Sequence, residues 1–197
     1  MITRQHAPHP GSRLVLRLLF ALAVVLGSFL AVAAPARAGE PAPEQAIANY
    51  EIDFLQDMID HHHMAVMTGE MCVEKAVHEE LRALCQEIVA AQSQEIATMQ
   101  SWLQSWYGVS YEHEMQNGHM QRMHKLHELS GEEFEIAFME MMIRHHKMAV
   151  REGERCVDRA YHDELVTMCE GIIATQTEEI ATMRAWLCEW YGVCKGS

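Results

Sequence analysis

An all-α four-helix bundle, made of two duplicated helical hairpins joined by a long, partly helical crossover, is the fold class that the sequence predicts. Three observations carry it. Residues 54–108 align without a gap on residues 138–192, with 30 identities in 55 positions. Within each copy apolar residues recur at spacings of three and four, the period of one helix face. Both copies close on WYG, where the glycine can supply the left-handed cap that ends a helix. Two copies are too few for a solenoid, so a single pseudo-twofold domain is expected.

The elements follow in order. GEPAPEQ leads in, with residues 39–43 as a short linker and Pro43 placed for a first helical turn. The first helix puts Ile47, Tyr50, Phe54, Met58, His61/His62 and Ala65 on one face. It should break between Cys72 and His78, although neither proline nor glycine marks the place. The second helix carries Leu81, Cys85, Ile88, Gln92, Ile96, Met99, Leu103 and Trp106, and repeat one (54–108) ends at Gly108. The crossover, 109–129, reads as partly helical after Gly118. Repeat two (130–192) opens on Ser130 with Glu133 three residues on, the pattern of a capping box. The stripe Phe134, Phe138, Met141/Met142, His145 and Ala149 follows, with a break between Cys156 and His162 and a stop at Gly192. Residues 44–197 thus form one helical domain.

Ahead of the domain, Arg4, Arg13 and Arg17 precede the apolar run LLFALAVVLGSFLAVAA and the small residues of Ala36-Arg37-Ala38. This is the layout of a secretory signal peptide, residues 1–38, cut after Ala38. The competing use of the run is a retained single-span anchor. No later segment is apolar enough to span a bilayer, so the mature chain is expected in the periplasm or outside the cell. Four of the 15 basic residues and none of the 28 acidic ones fall in residues 1–38, which leaves the mature chain with a formal charge of −17. Nucleic acids and anionic lipid need a positive surface and are excluded as partners. Cations are compatible.

All six cysteines (Cys72, Cys85, Cys156, Cys169, Cys188, Cys194) follow the signal segment. In an exported chain the even count reads as three disulfides, although six cysteines allow 15 pairings. Antiparallel helices would bring Cys72 to Cys85 and Cys156 to Cys169 near the two turns, each closure worth roughly 3 kcal/mol through loop entropy. Cys188 and Cys194 have no counterparts in repeat one and are expected to staple the C-terminus. Thiolate ligation of metal is the competing use.

The chemistry lies in histidine and methionine. MIDHHHMAV, residues 58–66, returns 84 residues later as MIRHHKMAV. Beyond the signal segment the chain has 11 histidines and 14 methionines. The crossover stretch HEMQNGHMQRMHKLH gathers His113, Met115, His119, Met120, Met123, His124 and His127. The doublet regions add His61, His62, Met64 and Met67 in one copy and His145, His146 and Met148 in the other. Imidazole with thioether is a soft-to-borderline donor set that fits copper(I), and silver(I) by the same logic. Thioethers bind without losing a proton and survive where thiols are oxidised. Copper(II) favours more nitrogen and oxygen, as at His61 to His63 with Asp60. The competing reading makes the doublets structural, since a buried imidazole needs a partner. Gln92 and Glu95 in one copy, with Gln176 and Glu179 in the other, are the partners in reach.

No HExxH, CxxC, GxGxxG or phosphate loop occurs, and the ExxH pairs of a carboxylate-bridged di-iron centre are missing. No catalytic residue is expected, and the chain is not expected to be an enzyme.

The pattern FxxxMIxHHxxAV followed by HxELxxxxxxIxxxQxxEIxxMxxWL resembles the bacterial family called domain of unknown function 305. Repeat one supplies Phe54, Met58, Ile59, His61, His62, Ala65 and Val66, then His78, Glu80, Leu81, Ile88, Gln92, Glu95, Ile96, Met99, Trp102 and Leu103. Repeat two supplies the residues 84 positions on, from Phe138 to Leu187. The resemblance implies a ferritin-like helical bundle, export in many members, and in some a periplasmic copper-binding role. The paired cysteines depart from the usual pattern.

Together these readings lead to an exported protein that buffers or carries copper(I) or silver(I) through Met/His clusters and supports copper tolerance. A periplasmic copper transporter or acceptor is its expected partner. The alternative is a non-catalytic structural or interaction protein of the cell envelope with its histidines in packing roles. A weaker third is an oxidoreductase acting on copper(I).

Overall fold

The structure is a computed structural model that describes residues 39–113 and 117–194, with backbone alone for 117–122. The signal segment expected over 1–38, and its cut after Ala38, lie outside the described residues. Five helices are present among them: α1 (Gln45–Lys75), α2 (Glu79–Tyr107), α3 (Asn117–Glu128), α4 (Gly131–Arg159) and α5 (Asp163–Tyr191). None is long and apolar enough to cross a membrane.

The hairpin turns fall where the repeat places them, at residues 76–78 and 160–162. Gly108 and Gly192, both at φ 67°, cap α2 and α5 in the left-handed region. Two expected starts differ in detail. Pro43 stands ahead of the first turn, because Glu44 is the N-cap whose carbonyl receives the Ile47 and Ala48 amides. The Ser130–Glu133 capping box does not form: Ser130 is the N-cap of α4 but its hydroxyl makes no capping bond. Gly131 has φ 57°, so the chain enters α4 through a left-handed residue.

Each hairpin is sealed along its length and at its turn. All eight stripe residues expected on α2, from Leu81 to Trp106, are buried. Disulfides join Cys72 to Cys85 and Cys156 to Cys169 beside the turns, and Cys188 to Cys194 after α5; no described cysteine is free. Close approach of the helices at the bridges needs glycine. A Cβ on Gly153 would stand 2.9 Å from the Ile173 side chain and 3.3 Å from the Cys169 carbonyl oxygen.

The two hairpins meet through α1 and α4, which run antiparallel. The start of α1 therefore lies at the turn of the second hairpin, and the start of α4 at the turn of the first. Accordingly one core cluster joins Leu81, Cys85 and Ile88 to Phe134, Phe138, Met142 and Met183. The other joins Phe54, Met58, Ile96 and Met99 to Leu165, Cys169 and Ile172. Helix α3 packs on both α1 and α4, with Leu126 buried in the first of these clusters. Lys75 fixes its end by donating to the carbonyls of His127 and Leu129.

Candidate metal-binding groove

The histidine doublets sit where α1 crosses α4. His61 and His145 stack with ring centroids 3.5 Å apart, and each Nε2 lies within hydrogen-bond distance of the other residue's carbonyl oxygen, at 3.2 and 3.1 Å. The pair is its own image under the 84-residue repeat, so the pseudo-twofold axis passes between these rings. His145 is 2% exposed. Burial holds it well below the ordinary 6.5, and the charges that His61, His146 and His62 would carry push the same way. It is therefore a neutral ring at neutral pH.

The second histidine of each doublet turns into its own hairpin. His62 is fully buried, and its Nε2 lies 2.8 Å from Glu95 Oε2. His146 comes as close to Glu179, at 2.7 Å, but out of hydrogen-bond alignment, so both atoms lack a directional partner. Gln92 and Gln176, the other partners expected, are buried with Oε1 unpaired. The structural reading of the doublets thus holds for His62 with Glu95, while His61 and His145 face the neighbouring hairpin.

Two carboxylates that sequence reasoning missed bind the hairpins to each other. Glu51, fully buried, takes the backbone N–H groups of Tyr161 (2.6 Å) and His162 (3.0 Å), the His162 ring (2.6 Å) and the Tyr107 hydroxyl. Glu135 does the same with Val77, His78 and Tyr191. Each carboxylate so lies at the start of the other hairpin's second helix, where the helix dipole favours negative charge. Burial alone would raise both carboxyls; the hydrogen bonds outweigh it and hold them below the usual 4.5. Trp106 and Trp190 close the assemblies by stacking on His162 and His78. The signal was present: extending the repeat alignment three residues upstream pairs Glu51 with Glu135.

Along the α1/α4 contact, on the side of the axis where α1 begins, lies a cavity of about 490 Å³. Its donors are His61 and Met58 from α1 and Met148 from α4, with Asp53, Asp57 and Glu152 at the mouth and Arg151 beside them. Met148 is 44% exposed, one of two large apolar side chains so exposed among the described residues. Burial raises the Asp57 carboxyl, and the neighbouring Asp53, Asp60 and Glu152 raise it further. Three carboxylates in the lining thus outnumber Arg151, while Arg159 lies over the ring of Tyr50 in the same wall. The cavity brings together two donors of the expected soft set, His61 and Met148, from helices far apart in sequence, and adds Met58, which the helical period places on the apolar face of α1.

Other expected ligands are dispersed. Met64 is buried and Met67 half-buried along α1. His113 stacks on His63 at 3.8 Å, outside the cavity. Met115 lies outside the described residues, as do the side chains of His119 and Met120. Met123 is half-buried, while His124 is exposed, 3.6 Å from Glu128, and His127 is exposed as well. Among the described residues no three His, Cys, Asp or Glu side chains already converge on one point. Any site here relies on thioether sulfur or on a small movement.

No curated protein matches the chain. Among solved structures it resembles CopM, whose copper(I)-bound form aligns at 30% identity and TM-score 0.65 over 72% of this chain and 98% of that one. CopM is also known with copper(II) and with silver bound. A DUF305 fragment from Deinococcus radiodurans aligns at 25% identity and TM-score 0.65, over 76% of this chain and 99% of the fragment. A DUF305 protein from Streptomyces coelicolor aligns at 25% and 0.61, over 73% of this chain and 94% of that one. The family described as "Domain of unknown function (DUF305)" matches residues 51–187, which is most of the helical bundle from α1 to α5, and the chain belongs to that family.

Proposed function

We propose that the protein is an exported, non-catalytic binder of copper(I) and silver(I) that buffers these ions or passes them to a copper transporter or acceptor of the envelope. The observation that carries the reading is the cavity between α1 and α4, where Met58, His61 and Met148 stand behind the acidic mouth of Asp53, Asp57 and Glu152. Carboxylates concentrate cations, and thioether and imidazole then select the soft ones. Three disulfides agree with an oxidising compartment. The likeness to CopM, known with copper(I), copper(II) and silver, supports the same metals.

Anaerobic titration of the folded chain against a competing copper(I) chelator tests this, with silver(I) in parallel. Met148→Leu and Met58→Leu keep volume while removing sulfur, and are expected to weaken copper(I) binding by about tenfold or more, as losses at metal sites commonly do. Should wild-type protein bind no copper(I), the metal reading falls. The alternative of a structural envelope protein would then stand, favoured by the buried His62–Glu95 pair and the crossed carboxylates.

A further inference from the structure

The three-histidine run of the first repeat is HHH, whereas the second has HHK, so His63 is answered by Lys147. His63 points away from the cavity and toward the strap that leaves α2. That strap, residues 109–113, is docked: Tyr111 donates its hydroxyl to Asp60 at 2.9 Å, and its carbonyl accepts from Gln100 at 3.1 Å. Docking lays the exposed ring of His113 on the half-buried ring of His63, 3.8 Å between centroids and 22° between planes. Asp60 and Glu112 stand near enough to act electrostatically on His63. In the second hairpin the described residues after Gly192 are instead tied back by Cys188–Cys194.

We propose that His63 and His113, beside the carboxylates of Asp60 and Glu112, hold a divalent cation of borderline character, copper(II) or zinc(II), at a site separate from the soft-metal cavity. Two imidazoles with carboxylate oxygen and water form a donor set that these cations favour and copper(I) does not. Two nitrogens on one zinc at 2.0–2.1 Å lie roughly 3.3 Å apart. In the stack, with 3.8 Å between centroids, the two rings lie face to face, so the exposed His113 ring must turn out of it before both nitrogens can face one ion. The proposal does not depend on copper(I) binding in the cavity.

The experiment is titration of the full folded chain with zinc(II) and, aerobically, with copper(II), in a competing chelator buffer, with electron paramagnetic resonance of the copper(II) form. His113→Phe keeps an aromatic stack without a nitrogen, and His63→Lys installs the residue of the second repeat. Both should remove one equivalent of zinc(II) or weaken it by at least about tenfold and reduce nitrogen hyperfine coupling. Met58→Leu/Met148→Leu should leave this equivalent in place. Unchanged zinc(II) and copper(II) binding in His113→Phe and His63→Lys would overturn the proposal. So would a loss that follows the methionine pair instead. Thermal melts of each variant separate ligation from packing, because His113→Phe should melt as the wild type does.

Discussion

The two ends of the α1/α4 groove occupy equivalent places in a duplicated fold and have become different surfaces. Where α1 begins, the groove is open, and Asp53, Asp57, Arg151 and Glu152 line its mouth. The positions 84 residues away, read in either direction, hold Ala137, Met141, Met67 and Thr68. At that end α3 packs over α1 and α4, and Leu126 buries itself among Phe134, Phe138 and Met142. The interior diverges less. Glu51 and Glu135, His62 and His146, Gln92 and Gln176, and the turn disulfides all match. The contrast teaches that the contacts between hairpins are held in common, while inside them small changes stand, as at Leu55 and Met139 or in a His146–Glu179 pair that is not aligned as His62–Glu95 is. The groove rim is free to specialise, and only one end of it is charged and accessible.

The shared interior offers the largest effect. Glu51→Gln and Glu135→Gln each remove a charge that accepts several hydrogen bonds, and each should cost about 2–3 kcal/mol. Chemical denaturation should find the two costs alike; a difference of several-fold would break the symmetry argued above. Both carboxyls sit below 4.5 in the fold, so the unfolded chain takes up protons first as pH falls. Their contribution is fully present above about pH 4.5 and is lost as pH drops through the lower folded values. The wild type should therefore lose stability in that acid window, and the double Gln variant should show a flatter profile there.

The hairpins can next be compared at their glycines. Alanine at Gly153 meets a backbone oxygen at 3.3 Å, while at Gly69 the nearest backbone oxygen is 3.6 Å away and the close neighbour is the Val89 side chain. Gly153→Ala is predicted to cost about 1–3 kcal/mol through overpacking. Gly69→Ala should cost less, and equal thermal shifts would show that the packing difference has no weight.

A smaller effect separates the groove ends. Replacing Asp57 and Glu152 by Met and Thr gives the open mouth its counterpart's residues. Silver(I) association at low salt should slow, and its salt dependence should flatten. An unaltered salt dependence argues against steering by the mouth. Asp57→Asn alone should leave stability unchanged or raise it slightly near pH 7. Its carboxyl is raised by burial and like charges, so the ionised form is the penalised one, and that penalty disappears as pH falls through the raised value. The smallest effect belongs to His124→Ala, whose 3.6 Å pair with Glu128 is exposed on both sides. A thermal shift beyond about 0.5 kcal/mol there would be unexpected.

Much of the scaffold was legible in the sequence because helical period, repeat and cysteine placement are local or self-comparing signals. Leu81 to Trp106 announced a buried stripe, two bridges followed from hairpin geometry, and the third from two cysteines with no counterparts in repeat one. The site was legible only in part. His61 and Met148 stood among the candidates, but their meeting depends on how α1 crosses α4, which no periodicity specifies. Asp53 and Asp57 gave no signal beyond the overall negative charge, and only the fold sets them around a cavity. His113 was grouped with its neighbours in sequence, whereas docking of the strap pairs it with His63, 50 residues earlier. The repeat marks Glu51 and Glu135 as a pair, but helical spacing does not say that the partner of each is a distant helix start.

Those crossed carboxylates carry a consequence for assembly. A lone hairpin would leave its acid with only the tyrosine of its own second helix as a donor, and would leave the start of that helix without an acceptor. Two separate copies of one hairpin, however, could satisfy each other by the same exchange. Severing the chain in the crossover should therefore give fragments that are poorly folded apart and recover helix when mixed in equal amounts. On this view the tether raises local concentration, while the choice of partner is written into Glu51 and Glu135.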